Sequence, residues 1–136
     1  MAAQISSAAP TGKSGLVRIT ILVRKRNDVS HEEFHKYWSE EHPNIWLSVP
    51  IVQDKIVKYS QFHGNEALKI AYGSAIPFAS YDGAAEMWAA SADDLVFTDV
   101  EYLRIVVPDE EKFLKRAEAQ MVIGWEELKW VDGKRQ

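Results

Sequence analysis

Four histidines are the chain's candidate proton carriers, and His42 stands in the setting best suited to acid–base work. A helix over SHEEFHKYWSEEH, Ser30 to His42, would bring Phe34, Trp38 and His42 to one apolar face at i, i+4 and i+8. Pro43 follows at once, and a proline, lacking an N–H, stops or kinks such a helix. Imidazole titrates near neutrality, so a histidine held there can give or take a proton. A second set lies along Lys55 to His63, whose alternation puts Val57, Tyr59, Gln61 and His63 in one row. The predicted division of labour is His42 as general acid/base, with Tyr59 and His63 as oxyanion donors or positioning groups. Gln61 shares their row. Trp38, Trp46, Phe62, Tyr81 and Trp88 are candidate apolar walls on which a flat ligand would stack. One preorganised donor aimed at a developing oxyanion is worth roughly 3 kcal/mol.

The remaining polar residues suggest less. His31 falls in the first helical turn and is expected to be solvated; His35 lies about 100° round the helix from Phe34 and should be half exposed. Asp82 reads most economically as a helix cap, and Asp109-Glu110-Glu111 as the charged first turn of a helix begun by Pro108. His31 and His35 stand at i, i+4, off the apolar face, and no metal is expected. A haem would need an axial ligand, which His42 or His63 could supply, so that alternative stays open. Nucleotide binding lacks a glycine-rich phosphate loop.

The elements that must position these groups follow from patterning. The chain has 136 residues and 46% hydrophobic content, enough for one domain with a real core. Its net charge of −4 comes without a basic block, so nucleic acid is not the expected partner. The absence of cysteine excludes disulfides and thiolate sites and fits a reducing cytoplasm. No apolar run approaches the ~20 residues of a membrane span. Residues 1–15 read as a disordered tail and 16–136 as the domain. Leu16 to Arg26 alternates with β-branched residues and is a strand. Ser30 with Glu33 makes a capping box for the first helix, and Pro43 to Pro50 suits a short second helical turn. Lys55 to His63 is the second strand, Gly64 to Gly73 a weakly structured connection, and Ala75 to Tyr81 a short third strand. Helices are predicted from Ala84, over Ala92 to Leu103, and from Pro108; Glu118 to Val131 closes the chain as a long strand. The order is β-α-β-β-α-β, an α+β ferredoxin-like topology with an antiparallel four-stranded sheet. One sheet face is left uncovered, and pairing two such faces in a homodimer would bury its large apolar groups.

The blocks HKYWSEEHP (His35 to Pro43), VKYSQFH (Val57 to His63) and YDGAAEMW (Tyr81 to Trp88), in that order, resemble the fungal EthD-domain proteins of the dimeric α/β-barrel superfamily. The similarity runs from about Val17 to Trp130. It implies a ferredoxin-like subunit that dimerises through its sheet, a pocket between sheet and helices, and cofactor-free chemistry, with His42 at the family's helix-end histidine. Related proteins act in aromatic polyketide pathways, several as decarboxylases of anthrone- or anthrol-type carboxylic acids. The resemblance therefore implies a lyase of that kind. A polyketide cyclase or dehydratase, a cofactor-independent oxygenase and a non-catalytic, stress-associated binding dimer are the alternatives, because this fold hosts many reactions.

Overall fold

β-Branched residues alternating along the first strand, β1 (Val17–Val23), bury Val17, Ile19 and Val23 beneath the helices. The strand is central in the computed structural model, which describes residues 15–95 and 97–136. Residues 1–14 of the expected tail lie outside the described residues. α1 (His31–Glu40), α2 (His42–Leu47), α3 (Pro50–Lys55) and β2 (Ile56–His63) come next. They are followed by α4 (Glu66–Tyr72), β3 (Gly83–Ala89), α5 (Val100–Glu110), β4 (Gln120–Gly124) and a terminal hairpin of β5 (Trp130–Val131) and β6 (Lys134–Arg135). Strands β1 to β4 form an antiparallel sheet in the order β2-β3-β1-β4. Interleaving two β-α-β units in this way is the ferredoxin-like arrangement that the element order predicts. Among the described residues no helix is long and apolar enough to cross a membrane.

The capping box at α1 is formed: Glu33 N–H donates to Ser30 Oγ and Ser30 N–H to Glu33 Oε1, each at 3.1 Å. Phe34 and Trp38 are the buried residues of α1. The helix ends at Glu40, however, so His42 opens α2 instead of closing α1. Pro43 then falls in the first turn of α2, where its missing N–H leaves no hydrogen bond unmade.

Three expectations are corrected on the far side of the sheet. Residues 66–72, read as a weak connection, are helical, and 75–81 contains no strand. Ala84 to Trp88, read as helix from its alanines, is the middle of β3. Here tertiary pairing overrides propensity, because β3 is hydrogen-bonded to β1 on one side and β2 on the other. Gly83 has its own reason to lack a side chain. A Cβ there would overlap the Phe62 carbonyl and come within 2.8 Å of the Trp38 ring. Gly83→Ala should therefore destabilise the fold by about 1–3 kcal/mol, read as a lower urea midpoint with an unchanged m-value.

α5 also departs from expectation. It runs through Pro108 to Glu110, so Asp109 and Glu110 end this helix and do not begin another. Tyr102, Val106 and Asp109 are its buried residues, spaced i, i+4 and i+7 along one face. Trp88 and Leu95 are both buried, Trp88 on β3 and Leu95 at the end of a 3₁₀ turn. The predicted long last strand is only Gln120–Gly124, and the hairpin at Asp132-Gly133, both at positive φ, takes the chain's end separately.

A register shift between Ile56 and Lys58 turns Val57 outward and leaves Tyr59, Gln61 and His63 paired with Met87, Ala85 and Gly83 on the helix-facing side. Phe62 and Val122 project from the opposite, uncovered face. Trp88 shares that face but is buried, with Arg18 5.2 Å and Lys58 4.4 Å from its ring.

Candidate functional site

Between sheet and helices lies a cavity of about 220 Å³. His42, Tyr59, Trp38 and Trp46, four of the predicted site residues, line it. Tyr59 stacks on Trp46 at 4.3 Å between ring centroids with 23° between planes, which gives one wall a flat aromatic surface. Ile21, Met87 and Phe97 supply further apolar lining, and Glu110, Lys115 and Arg116 the charged part.

At the end of the helix layer, His42 Nδ1 stands 2.6 Å from Asp109 Oδ2, and both side chains are buried. Tyr37 donates its hydroxyl to the other carboxylate oxygen, and Lys112 stands 3.4 Å from it. Burial pushes the Asp109 carboxyl up, but the hydrogen bonds from Tyr37 and His42 outweigh it and hold the group below its ordinary value. Burial, then the bond to Asp109, pushes the Tyr37 phenol up to about 12. An ionised Asp109 can only accept, so His42 Nδ1 carries the hydrogen. Nε2 is then the nitrogen left for a ligand. This is the geometry of a general base with its orienting carboxylate.

The hydroxyl of Tyr59 is oriented from behind. Gln61 donates through Nε2 to the Trp38 carbonyl at 2.7 Å and to Tyr59 Oη at 3.1 Å. With its oxygen accepting from Gln61, Tyr59 keeps its own proton to donate into the cavity. Burial raises its pKa against the opposing hydrogen bonds of Gln61 and Trp38, which keeps that proton in place.

His63 does not join this site. Its ring lies 4.5 Å from that of Trp38, which stands between it and the cavity. Its Nε2 lies 2.9 Å from Gln61 Oε1 and its Nδ1 2.6 Å from His35 Nδ1, in a separate surface cleft. With Gln61 Nε2 committed as donor, His63 Nε2 must donate to Oε1. His63 thus touches the cavity only through Gln61, so of its two expected roles the geometry drops the oxyanion donor and leaves the positioning group. Three predicted walls are corrected too. Phe62 and Trp88 lie on the opposite sheet face, and Tyr81 sits outside the cavity, donating to Gln120 Oε1 beneath the Arg24 guanidinium. Asp82 caps no helix; its Oδ2 accepts the Lys25 backbone N–H at 2.8 Å.

Asp109, Tyr37, Glu110, Tyr102, Lys115 and Arg116 are polar site residues that sequence reasoning missed. The buried spacing of Tyr102, Val106 and Asp109, continued by Phe113, was a usable signal, hidden by reading Pro108 as a helix start. Glu110 bonds Arg116 Nε at 2.9 Å. Burial raises its carboxyl above the ordinary value, against the pull of His42 and Arg116. A raised carboxylate favours the folded state only while protonated, so its penalty grows as pH climbs from the unfolded value near 4.3 through the folded one. Glu110→Gln should thus raise Tm at pH 7 and leave it unchanged near pH 4; equal effects at both values would contradict this.

A ferredoxin-like α+β fold carrying a buried histidine–aspartate pair at an aromatic cavity is consistent with the class of small-molecule-binding or enzymatic domains. Residues 26–117 match the EthD domain, and the chain belongs to that family. No curated protein matches it. Among solved structures it is similar to a Bacteroides fragilis protein described as dimeric, of unknown function and ferredoxin-like. The TM-score is 0.51 at 16% identity, over 82% of this chain and 97% of that one.

Proposed function

We propose that the protein is a lyase that decarboxylates an aromatic polyketide carboxylic acid of the anthrone or anthrol type. The observation that carries this reading is the His42–Asp109 pair opening onto an aromatic-walled cavity that Tyr59 also lines. In a β-keto acid the C–C bond to the carboxylate breaks, CO₂ leaves, and the electron pair moves to the substrate's own ketone oxygen to form an enolate. Tyr59 donates to that oxyanion as its charge develops. His42, protonated at Nε2 and balanced by Asp109, returns a proton to carbon and regains one from water. Trp46 and Tyr59 hold the ring plane by stacking, and Lys115 and Arg116 attract the anionic substrate. No step calls for a cofactor, because the substrate itself is the electron sink.

The test is incubation of the protein with an anthrone carboxylic acid, followed by mass spectrometry. Loss of 44 mass units supports decarboxylation. Loss of 18 would reassign the site as a cyclase or dehydratase, and oxygen gain that stops under anaerobic conditions as an oxygenase. Unchanged ligand that nevertheless binds, with His42 dispensable, would leave a binding protein. The cysteine-free composition suits a cytoplasmic setting.

The uncovered sheet face supports a homodimer. Phe62 and Val122 are about two-thirds exposed there, and Arg18 Nε, on the same face, is the one buried side-chain polar atom without a partner among the described residues. Phe62→Asp should shift the light-scattering mass from dimer to monomer. A wild-type chain already monomeric at tens of micromolar would overturn the pairing.

A further inference from the structure

Three of the chain's four histidines gather on one surface cleft, away from the cavity. His31 is the first residue of α1 and Glu66 the first of α4, while Asp82 immediately precedes β3. Three separate elements thus deliver one imidazole and two carboxylates to one place. One ligand atom from each lies within 4.8 Å of the other two, the one such set of three among the described residues. His31 Nδ1 is 3.5 Å from Asp82 Oδ1, and its Nε2 is 3.9 Å from Glu66 Oε2. We propose that His31, Glu66 and Asp82 form a binding site for a divalent transition metal of the zinc class.

Four ligands around zinc at bonds of about 2.05 Å stand roughly 3.3 Å from one another. Asp82 and Glu66 face different nitrogens of the His31 ring, of which one ion takes one, so the set of one atom per residue within 4.8 Å draws in around the ion by side-chain rotation. Asp82 is already oriented, since its Oδ2 accepts the Lys25 N–H at 2.8 Å and its Oδ1 is left toward His31. Such a bond behind a ligand fixes its direction and strengthens a site. Two carboxylates balance a divalent charge, and the imidazole selects zinc-like ions over magnesium, which prefers an all-oxygen shell. The Lys69 ammonium, 4.0 Å from Glu66 Oε2, is held by the Tyr81 carbonyl at 2.9 Å, so it is anchored beside the site and does not fill it. His35 and His63 share the cleft but are tied to each other at 2.6 Å, closer than two ligands of one ion would stand. The i, i+4 spacing of His31 and His35 gave no reason to expect a metal. The site arises because folding brings Glu66 and Asp82 to His31, and leaves His35 to another partner.

Titration calorimetry of the chelator-treated full chain with zinc chloride tests this. One ion per chain is expected, with binding weakened at least tenfold by His31→Ala or by Asp82→Asn, which keeps the acceptor for Lys25. His63→Ala and His42→Ala should bind zinc as the wild type does, and bound zinc should raise Tm in all but the two cleft variants. The proposal is overturned if no saturable site appears, if both cleft variants bind as the wild type does, or if His63→Ala abolishes binding while His31→Ala does not. Magnesium binding as tightly as zinc would overturn the assigned ion class. None of these readouts depends on turnover.

Discussion

Replacing His42 with alanine is expected to lower kcat/KM for decarboxylation by about 10²–10⁴-fold. Its Nδ1–H is committed to Asp109 and its Nε2 is the nitrogen left for the substrate, so truncation removes the proton carrier itself. The fold should survive. Asp109 keeps its bonds from Tyr37 and the nearby Lys112, and losing one partner of a buried polar group costs about 1–3 kcal/mol. A thermal melt a few degrees lower with unchanged near-ultraviolet dichroism would confirm an intact core. Turnover within a factor of two of wild type would remove His42 from the mechanism.

Asp109→Asn tests whether the carboxylate acts through the ring. Asparagine has nearly the same shape, but its amide nitrogen donates where the carboxylate accepts. Either the Tyr37 hydroxyl or the His42 Nδ1–H then meets a donor. The ring loses the negative acceptor that balances its doubly protonated, proton-donating form, and removing such a carboxylate costs up to ~10⁴-fold where it orients a catalytic histidine. The double variant with His42→Ala should be no slower than His42→Ala alone, because the two act as a unit. Stability supplies a second, independent readout. Asp109 has a folded-state pKa below its unfolded one, so its contribution is present above the unfolded value near 3.9 and is lost as pH falls through the depressed folded value. Wild type should therefore be the more stable protein at pH 7, and the gap to Asp109→Asn should close as the solution is acidified below about pH 4. A gap that stays constant into acid would mean the carboxylate is not held ionised by its partners.

Several features are legible in residue order alone, and they share a cause. The strand Val17–Val23, the Ser30–Glu33 box, the short second helix with Pro43 in its first turn and the row Tyr59, Gln61, His63 all rest on contacts or backbone limits within a few residues of one another. Short-range geometry is written directly in the spacing of residue types. The order of such elements then leads to the ferredoxin-like sheet.

What residue order left open was decided by where distant elements cross. Asp109 meets His42 across 67 residues. No spacing rule spans that distance, and the pair exists because α5 lays its buried stripe over the start of α2. β3 is a strand despite its alanines because a ladder lies on each side of it, a stabilisation invisible to local propensity. His63 shares a strand row with Tyr59 but is screened by Trp38, so the same alternation that pointed both at one ligand could not say that an indole would stand between them. Sequence by itself determined which residues share a face. Only the tertiary structure decided which faces meet, since that depends on the packing of whole elements and not on neighbours along the chain.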